Sequence, residues 1–180
     1  MNEKLIELAL SCGATHAAVI DTADVALSAS FYDICASNAC GNFGKCWVCP
    51  PDCGPVEESM ARVRSYPKGL LYQYIGTLED SFDIEGMGEA AVHHAQIGQK
   101  LLDATRDLIP DSWHLSCGGC HLCERCAKRD NEPCRHPDRA LVAMEACGID
   151  VSATTKHTDM KYINGADTVT YFGLILFREG

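Results

Sequence analysis

The sequence lacks any apolar run long enough to span a membrane, which argues against a transmembrane helix. It is short of basic residues: Lys and Arg total 15 against 25 Asp and Glu, for a formal net charge of −10. Such an acid excess repels nucleic acid and anionic membranes and draws a basic redox partner protein, if the chain has one. There is no Ser/His/Asp set, no pair of catalytic carboxylates, no glycine-rich phosphate loop and no dinucleotide fingerprint. The commonest hydrolase, phosphotransferase and dehydrogenase chemistries therefore lack their signatures. Internal repeats, low-complexity tracts and linkers are missing too, so residues 1–180 are expected to form a single domain. The N-terminus, MNEKLIELAL, lacks the long apolar segment of a signal peptide, and the expected setting is a reducing cytoplasm.

What the chain does have is cysteine, twelve in 180 residues. With 47% hydrophobic residues it can bury a core without covalent staples. The thiols are clustered at 35–53 and 117–134, leaving only Cys12 and Cys147 outside, whereas disulfide scaffolds scatter theirs through the chain.

The second group, CGGCHLCERCAKRDNEPCRHP, places Cys117, Cys120, Cys123, Cys126 and Cys134 within eighteen residues. The Gly118-Gly119, Lys128-Arg129 and Asp130-Asn131 between them do not belong in a packed core. Two-residue spacers let the backbone turn and aim successive thiolates at one point. Consecutive C-x2-C steps followed by a distant cysteine and a proline have the form of bacterial iron–sulfur loops. Here Cys134 is the distant thiolate and Pro137 ends the loop. Structural zinc sites more often use two separated cysteine pairs. The expected cofactor is one or two 4Fe-4S clusters, with Zn as the alternative. His121 and His136 flank ligands and are further donors in the zinc reading. Arg135, beside Cys134, is placed to donate to a cluster sulfide or to pair with Glu132 or Asp138.

The first group, CASNACGNFGKCWVCPPDC, holds Cys35, Cys40, Cys46, Cys49 and Cys53. Its glycines permit the backbone angles of a loop wrapped round a metal. The expected ligands are Cys35, Cys40, Cys46 and Cys49, with Cys53 spare. Phe43 and Trp47 are apolar residues in a polar loop, fit to shield a cofactor or to pack on the domain.

Elsewhere periodicity predicts helices over 2–12, 22–34, 55–65, 84–108, 138–148 and from about 150 to 158. In the long helix, Met87, Ala91, His94, Gly98, Leu101, Thr105 and Leu108 form the expected inward stripe. Strands are expected at 16–21, 69–77, about 112–116 and 168–177, the last buried on both faces. The expected fold is α/β (α+β): a small mixed sheet of about four strands packed with helices. The helix at 84–108 allows parallel pairing, and the metal loops at 35–53 and 117–137 lie together at one end. Cys12 and Cys147 read as core.

With both groups in view, the chain resembles a prokaryotic family of predicted metal-binding proteins, domain of unknown function 2284. The resemblance rests on CASNACGNFGKCWVCPP (35–51), GGCHLCERCAKRDNEPCRHP (118–137), MEACGIDVSA (144–153) and NGADTVTYFGLILF (164–177). It implies metal binding through Cys35, Cys40 and Cys49 in one motif and Cys120, Cys123, Cys126 and Cys134 in the other. By that comparison Cys46, Cys53 and Cys117 are additions. Three functions stay open: electron transfer by closed thiolate clusters, an enzyme whose open iron activates a substrate, and a zinc-stabilised interaction module.

Overall fold

In a computed structural model, which describes residues 1–179, the apolar segment TVTYFGLILF becomes the middle of the sheet. Strand β5 (Thr168–Phe177) pairs antiparallel with β2 (Lys68–Thr77) along its whole length, from Lys68↔Phe177 to Thr77↔Thr168. Strand β1 (His16–Asp21) adds antiparallel to the outer edge of β2. On the other side of β5 lie β3 (Ser112–Ser116), antiparallel to it, and β4 (Val142–Ala143), parallel to β3. The result is a mixed five-stranded sheet in the order β1-β2-β5-β3-β4, packed with five helices.

Alternation along the strands divides the core in two. Leu70, Tyr72, Ile175 and Phe177 face helices α1 (Asn2–Ser11) and α4 (Ile84–Thr105), which contribute Leu5, Ala9, Ile97 and Leu101. Leu71, Leu174 and Leu176 face the other way. They pack on Val63 of α3 (Val56–Ser65), Val151 of α5 (Val151–Thr155) and the Met144–Ile149 turn. The remaining helix, α2 (Ser30–Ala36), leads into the first cysteine loop. Asp83 caps α4 by accepting the Gly86 N–H at 2.8 Å. No helix among the described residues is long and apolar enough to cross a membrane.

Four expectations need correction. The helix expected over 22–34 is a single 3-10 turn at Thr22–Asp24, an extended segment, and then α2. Leu27 bridges Ile149, and the Asp150 and Ser28 amides donate to Ala26 and Gly148 at 2.9 and 2.7 Å. Backbone pairing thus claims the groups a helix would have used, and Ile34 ends 63% exposed. The helix expected over 138–148 is absent as well. Val142 pairs with Leu115, the Met144 amide donates to Ser116 at 2.8 Å, and Gly148 turns the chain at φ 74°. The open edge of β3 outweighs the helical preference of Ala, Leu and Met there. In α4 the buried residues are Ala90, His94, Ile97, Gly98, Leu101 and Thr105, so the stripe is rotated from the expected one in its first turns. Finally, α4 does join parallel strands, β2 and β3, but β5 lies between them, and among the described residues the only parallel pairing is β3–β4.

Two predictions follow from this core. A Cβ on Gly173 would overlap the Tyr72 ring across the β2–β5 pair. Gly173→Ala is expected to cost about 1–3 kcal/mol by overpacking, read as a drop in the chemical-denaturation midpoint. His114 is buried, with Nε2 3.3 Å from the Thr105 hydroxyl, which itself donates to Leu101 O at 2.7 Å. Burial lowers the His114 pKa to about 4, below its ordinary 6.5, so the unfolded chain takes up the proton first. Stability from the neutral ring is therefore full above about pH 6.5 and lost as pH falls toward about 4. His114→Gln is expected to flatten that part of the stability–pH curve.

Candidate metal centre

Strand β3 carries the chain to the Thr168 end of β5, and the second cysteine loop starts there. Cys117 comes first, and its sulfur accepts the Phe172 backbone N–H. It also lies 3.6 Å from Nδ1 of His94, whose ring stacks on Tyr72 with centroids 5.5 Å apart. Cys117 thus points at α4 and the sheet, while the later thiols of the loop turn to the far side. Gly118, at φ 63°, makes that change of direction.

The next four cysteines border one space. Cys120, Cys123, Cys126 and Cys134 line one small cavity of about 20 Å³, walled also by Leu122, Ala127, Arg135 and His136. A 3-10 turn at Ala127–Asp130, closed by Asn131 in the left-handed conformation, returns the chain so that Cys134 can face the first three. Arg135 donates to Arg125 O at 3.0 Å and lies 3.6 Å from Glu132. Its guanidinium therefore belongs to the loop's own framework as well as to the cavity wall.

The first loop folds against the second. Asn38 and Gly44 turn it with positive φ, Phe43 N donates to Asn38 Oδ1 at 3.1 Å, and Gly44 N donates to Pro50 O at 2.8 Å. Cys46, Val48 and Cys49 are buried and pack against Cys120 and Cys126 of the second loop, with Ala140 and Val142 behind. The Cys46 sulfur takes the Cys120 backbone N–H and adjoins the thiols of Cys49 and Cys126. Cys46 and Cys49 share a proton, which lowers the pKa of the first and raises that of the second. The five thiols of the first loop lie near enough to act on one another's charge: Cys40 on Cys35, Cys40, Cys46 and Cys53 on Cys49, and Cys35 and Cys46 on Cys53. Burial pushes the thiols of Cys53 and Cys120 up to about 11 and raises that of Cys35. Any metal entering here must displace protons.

Three contacts clamp the loops together. Lys128 pairs with Asp52, both side chains half-buried, and its ammonium sits 4.3 Å above the Trp47 ring. Trp47 Nε1 donates to Glu132 O at 2.9 Å. Gly119 touches the Asn42 amide so closely that a Cβ there would come within 2.8 Å of Nδ2. The loops therefore do lie together, as expected.

All twelve cysteines are free thiols, with Cys12 and Cys147 in the two halves of the core. Among the described residues, no three His, Cys, Asp or Glu side chains stand close enough to grip a metal ion as they are. The donor set nonetheless suits a thiophilic metal: four cysteines line a shared, enclosed space, and Cys46 and Cys49 of the first loop pack against two of them. His93 and His121 stay exposed. Cys53, outside the expected ligand set, follows Cys49 at a three-residue spacing. The Lys128–Asp52 clamp and the His94–Cys117 contact had no signal in the sequence, since each joins positions far apart in the chain.

A family described as predicted metal-binding protein, domain of unknown function 2284, matches residues 18–177. No curated protein and no solved structure matches the chain.

The clamp generates a prediction independent of which metal binds. Lys128→Met leaves the Asp52 carboxylate without its partner and uncovers the Trp47 face. The expected penalty is about 1–2 kcal/mol, or roughly 5–30-fold faster amide exchange in both loops, measured by hydrogen–deuterium exchange. The strands β2 and β5 should keep their protection.

Proposed function

The chain belongs to this family of metal-binding proteins, and on that footing we propose that it is an iron–sulfur protein with a redox role. The observation that carries this reading is the cavity shared by Cys120, Cys123, Cys126 and Cys134. Their C-x2-C-x2-C spacing, distant fourth thiol and following proline are those of a 4Fe-4S loop. A cluster held by four thiolates supplies single-electron exchange without needing a vacant coordination position.

A second cluster is proposed in the first loop. Cys53 is taken as the fourth ligand beside Cys35, Cys40 and Cys49, because Cys46 is packed into the seam against Cys120 and Cys126 of the other loop. Cys46 lies on the seam, with Cys49 on one side and Cys120 and Cys126 on the other. Four thiols at the first site argue against an iron left open to a substrate there. The chain's own residues then do three things. Leu122 and Ala127 keep water from the second site, Arg135 offsets its negative charge, and Trp47 shields the seam between the loops. A separate electron-carrier protein in the cytoplasm completes the proposed role.

Zinc is the second reading, favoured by one observation: about 20 Å³ is nearer the space of a single ion than of a four-iron cube. In that case the metal only holds the two loops together.

An anaerobic visible spectrum, with iron, sulfide and zinc assays on the same sample, separates the two. About eight irons per chain with matching sulfide and a band bleached by dithionite is the expected result. Stoichiometric zinc with no sulfide would overturn the redox reading. Cys123→Ser and Cys53→Ala should each reduce iron to about four per chain, by removing one ligand from each site. Cys12→Ala should leave it unchanged. Retention of all the iron in Cys53→Ala, with loss in Cys46→Ala, would return the fourth ligand to Cys46.

A further inference from the structure

The second cysteine loop also borders a cleft separate from the cavity that its four thiols share. Helix α4 forms one side of this cleft, Gly119, Cys120 and Leu122 form another, and Leu141 closes the floor. Its volume is about 340 Å³, within the usual range of small-molecule sites. Val92 and Ala95 of α4 turn apolar surface into it, and Val92 is 42% exposed there. The surface is mainly apolar, with Gln96, Ser116 and His121 as further polar groups beside the two cations, Lys100 and Arg139.

The charge of the cleft is opposite to that of the protein. The chain carries 25 acids against 15 bases, yet no Asp or Glu lines this space, and its two charged residues are Lys100 and Arg139. Arg139 is fully engaged: Nε donates to Gln99 Oε1 at 2.9 Å, and both terminal nitrogens donate to Asp103 at 2.9 Å. Gln99 in turn donates to Arg139 O at 2.9 Å, so this wall is rigid. Lys100 takes part in none of the ion pairs among the described residues. An apolar floor with one uncommitted ammonium at its rim fits a molecule with an apolar body and one negative end.

We infer that this cleft binds a small organic anion, a monocarboxylate with an aromatic or branched apolar body. Its carboxylate pairs with Lys100 and its body rests on Leu122 and Leu141. Such a molecule lies beside Cys120 and Leu122, which also line the cavity that Cys120 shares with the other thiols. That location makes a carboxylate the effector class to look for beside the metal loops. The inference needs the cleft and Lys100, and it holds whichever metal the thiols take.

The test uses the full chain as purified, with its metal, and reads ligand-observed saturation-transfer NMR. The probes are 3-phenylpropionate, the neutral 3-phenylpropanol and the cationic 3-phenylpropylamine. The expected result is saturation of the acid, with the alcohol at least about tenfold weaker and the amine weaker still. Lys100→Glu, on an exposed helical position, should weaken the acid by about tenfold or more and leave the alcohol unchanged. Ala95→Trp, which fills the cleft, should abolish both. Equal binding of acid and alcohol, an acid affinity unaltered by Lys100→Glu, or no saturation by any probe at about 10 mM would overturn the inference. Because none of these readings depends on iron or colour, a negative metal assay and a negative cleft assay are separable results.

Discussion

The ten-residue antiparallel pairing of β2 with β5 is the constraint on which the rest of the structure depends. It buries Leu70 and Leu71 on opposite faces, so both sides of the sheet must be covered. Helices α1 and α4 cover one side; α3, α5 and the 144–149 turn cover the other. It also fixes β3, which pairs with the remaining edge of β5 from Ser112↔Phe177 to Leu115↔Leu174. That register determines where Cys117 leaves the sheet, and therefore where the second cysteine loop begins. A shift of one residue would turn every side chain of β3 to the other face.

From that point the two loops support one another. Neither has a hydrophobic core of its own, and the small cluster of Cys46, Val48 and Cys49 is completed only by Cys120, Cys126, Ala140 and Val142. The Lys128–Asp52 pair and the Trp47–Glu132 hydrogen bond act across the same seam. Burial holds the Cys53 and Cys120 thiols protonated at neutral pH, with pKa values pushed up to about 11, so a metal bound by them would have to release their protons. Cys117 stands apart, since its contact with His94 and the Phe172 amide ties the base of the loop to α4 and the sheet. The cleft beside Lys100 lies between that helix and the loop.

Most strands were legible because their signal is local. HAAVID (16–21) is β1 in full, and TVTYFGLILF (168–177) is β5, its wholly apolar end buried on both faces. Helices α1, α3 and α4 carried a 3.6-residue period and a Gly or Pro near an end, and they appear within a few residues of their expected bounds. Two segments misled for a common reason. Residues 22–34 and 138–148 have helical spacing, but the bonds that decide them run from Ala26 to Asp150 and from Ser116 to Met144. No window of sequence contains both partners of either bond.

The sequence by itself determined that this is a thiol-rich metal protein: soft donors at two-residue spacing, among residues no core can use, have little other explanation. It also determined the strands and the long helix, because burial on one or two faces writes a period into neighbouring residues. Only the tertiary structure decided which thiols meet. Cys117 turns to His94 and Cys46 packs against the opposite loop, although both sit in the same runs as their neighbours. The reason is physical. Spacing limits how closely residues of one loop can approach, but the aim of each sulfur is set by what packs behind it. Behind Cys46 is Cys126, eighty residues further along the chain.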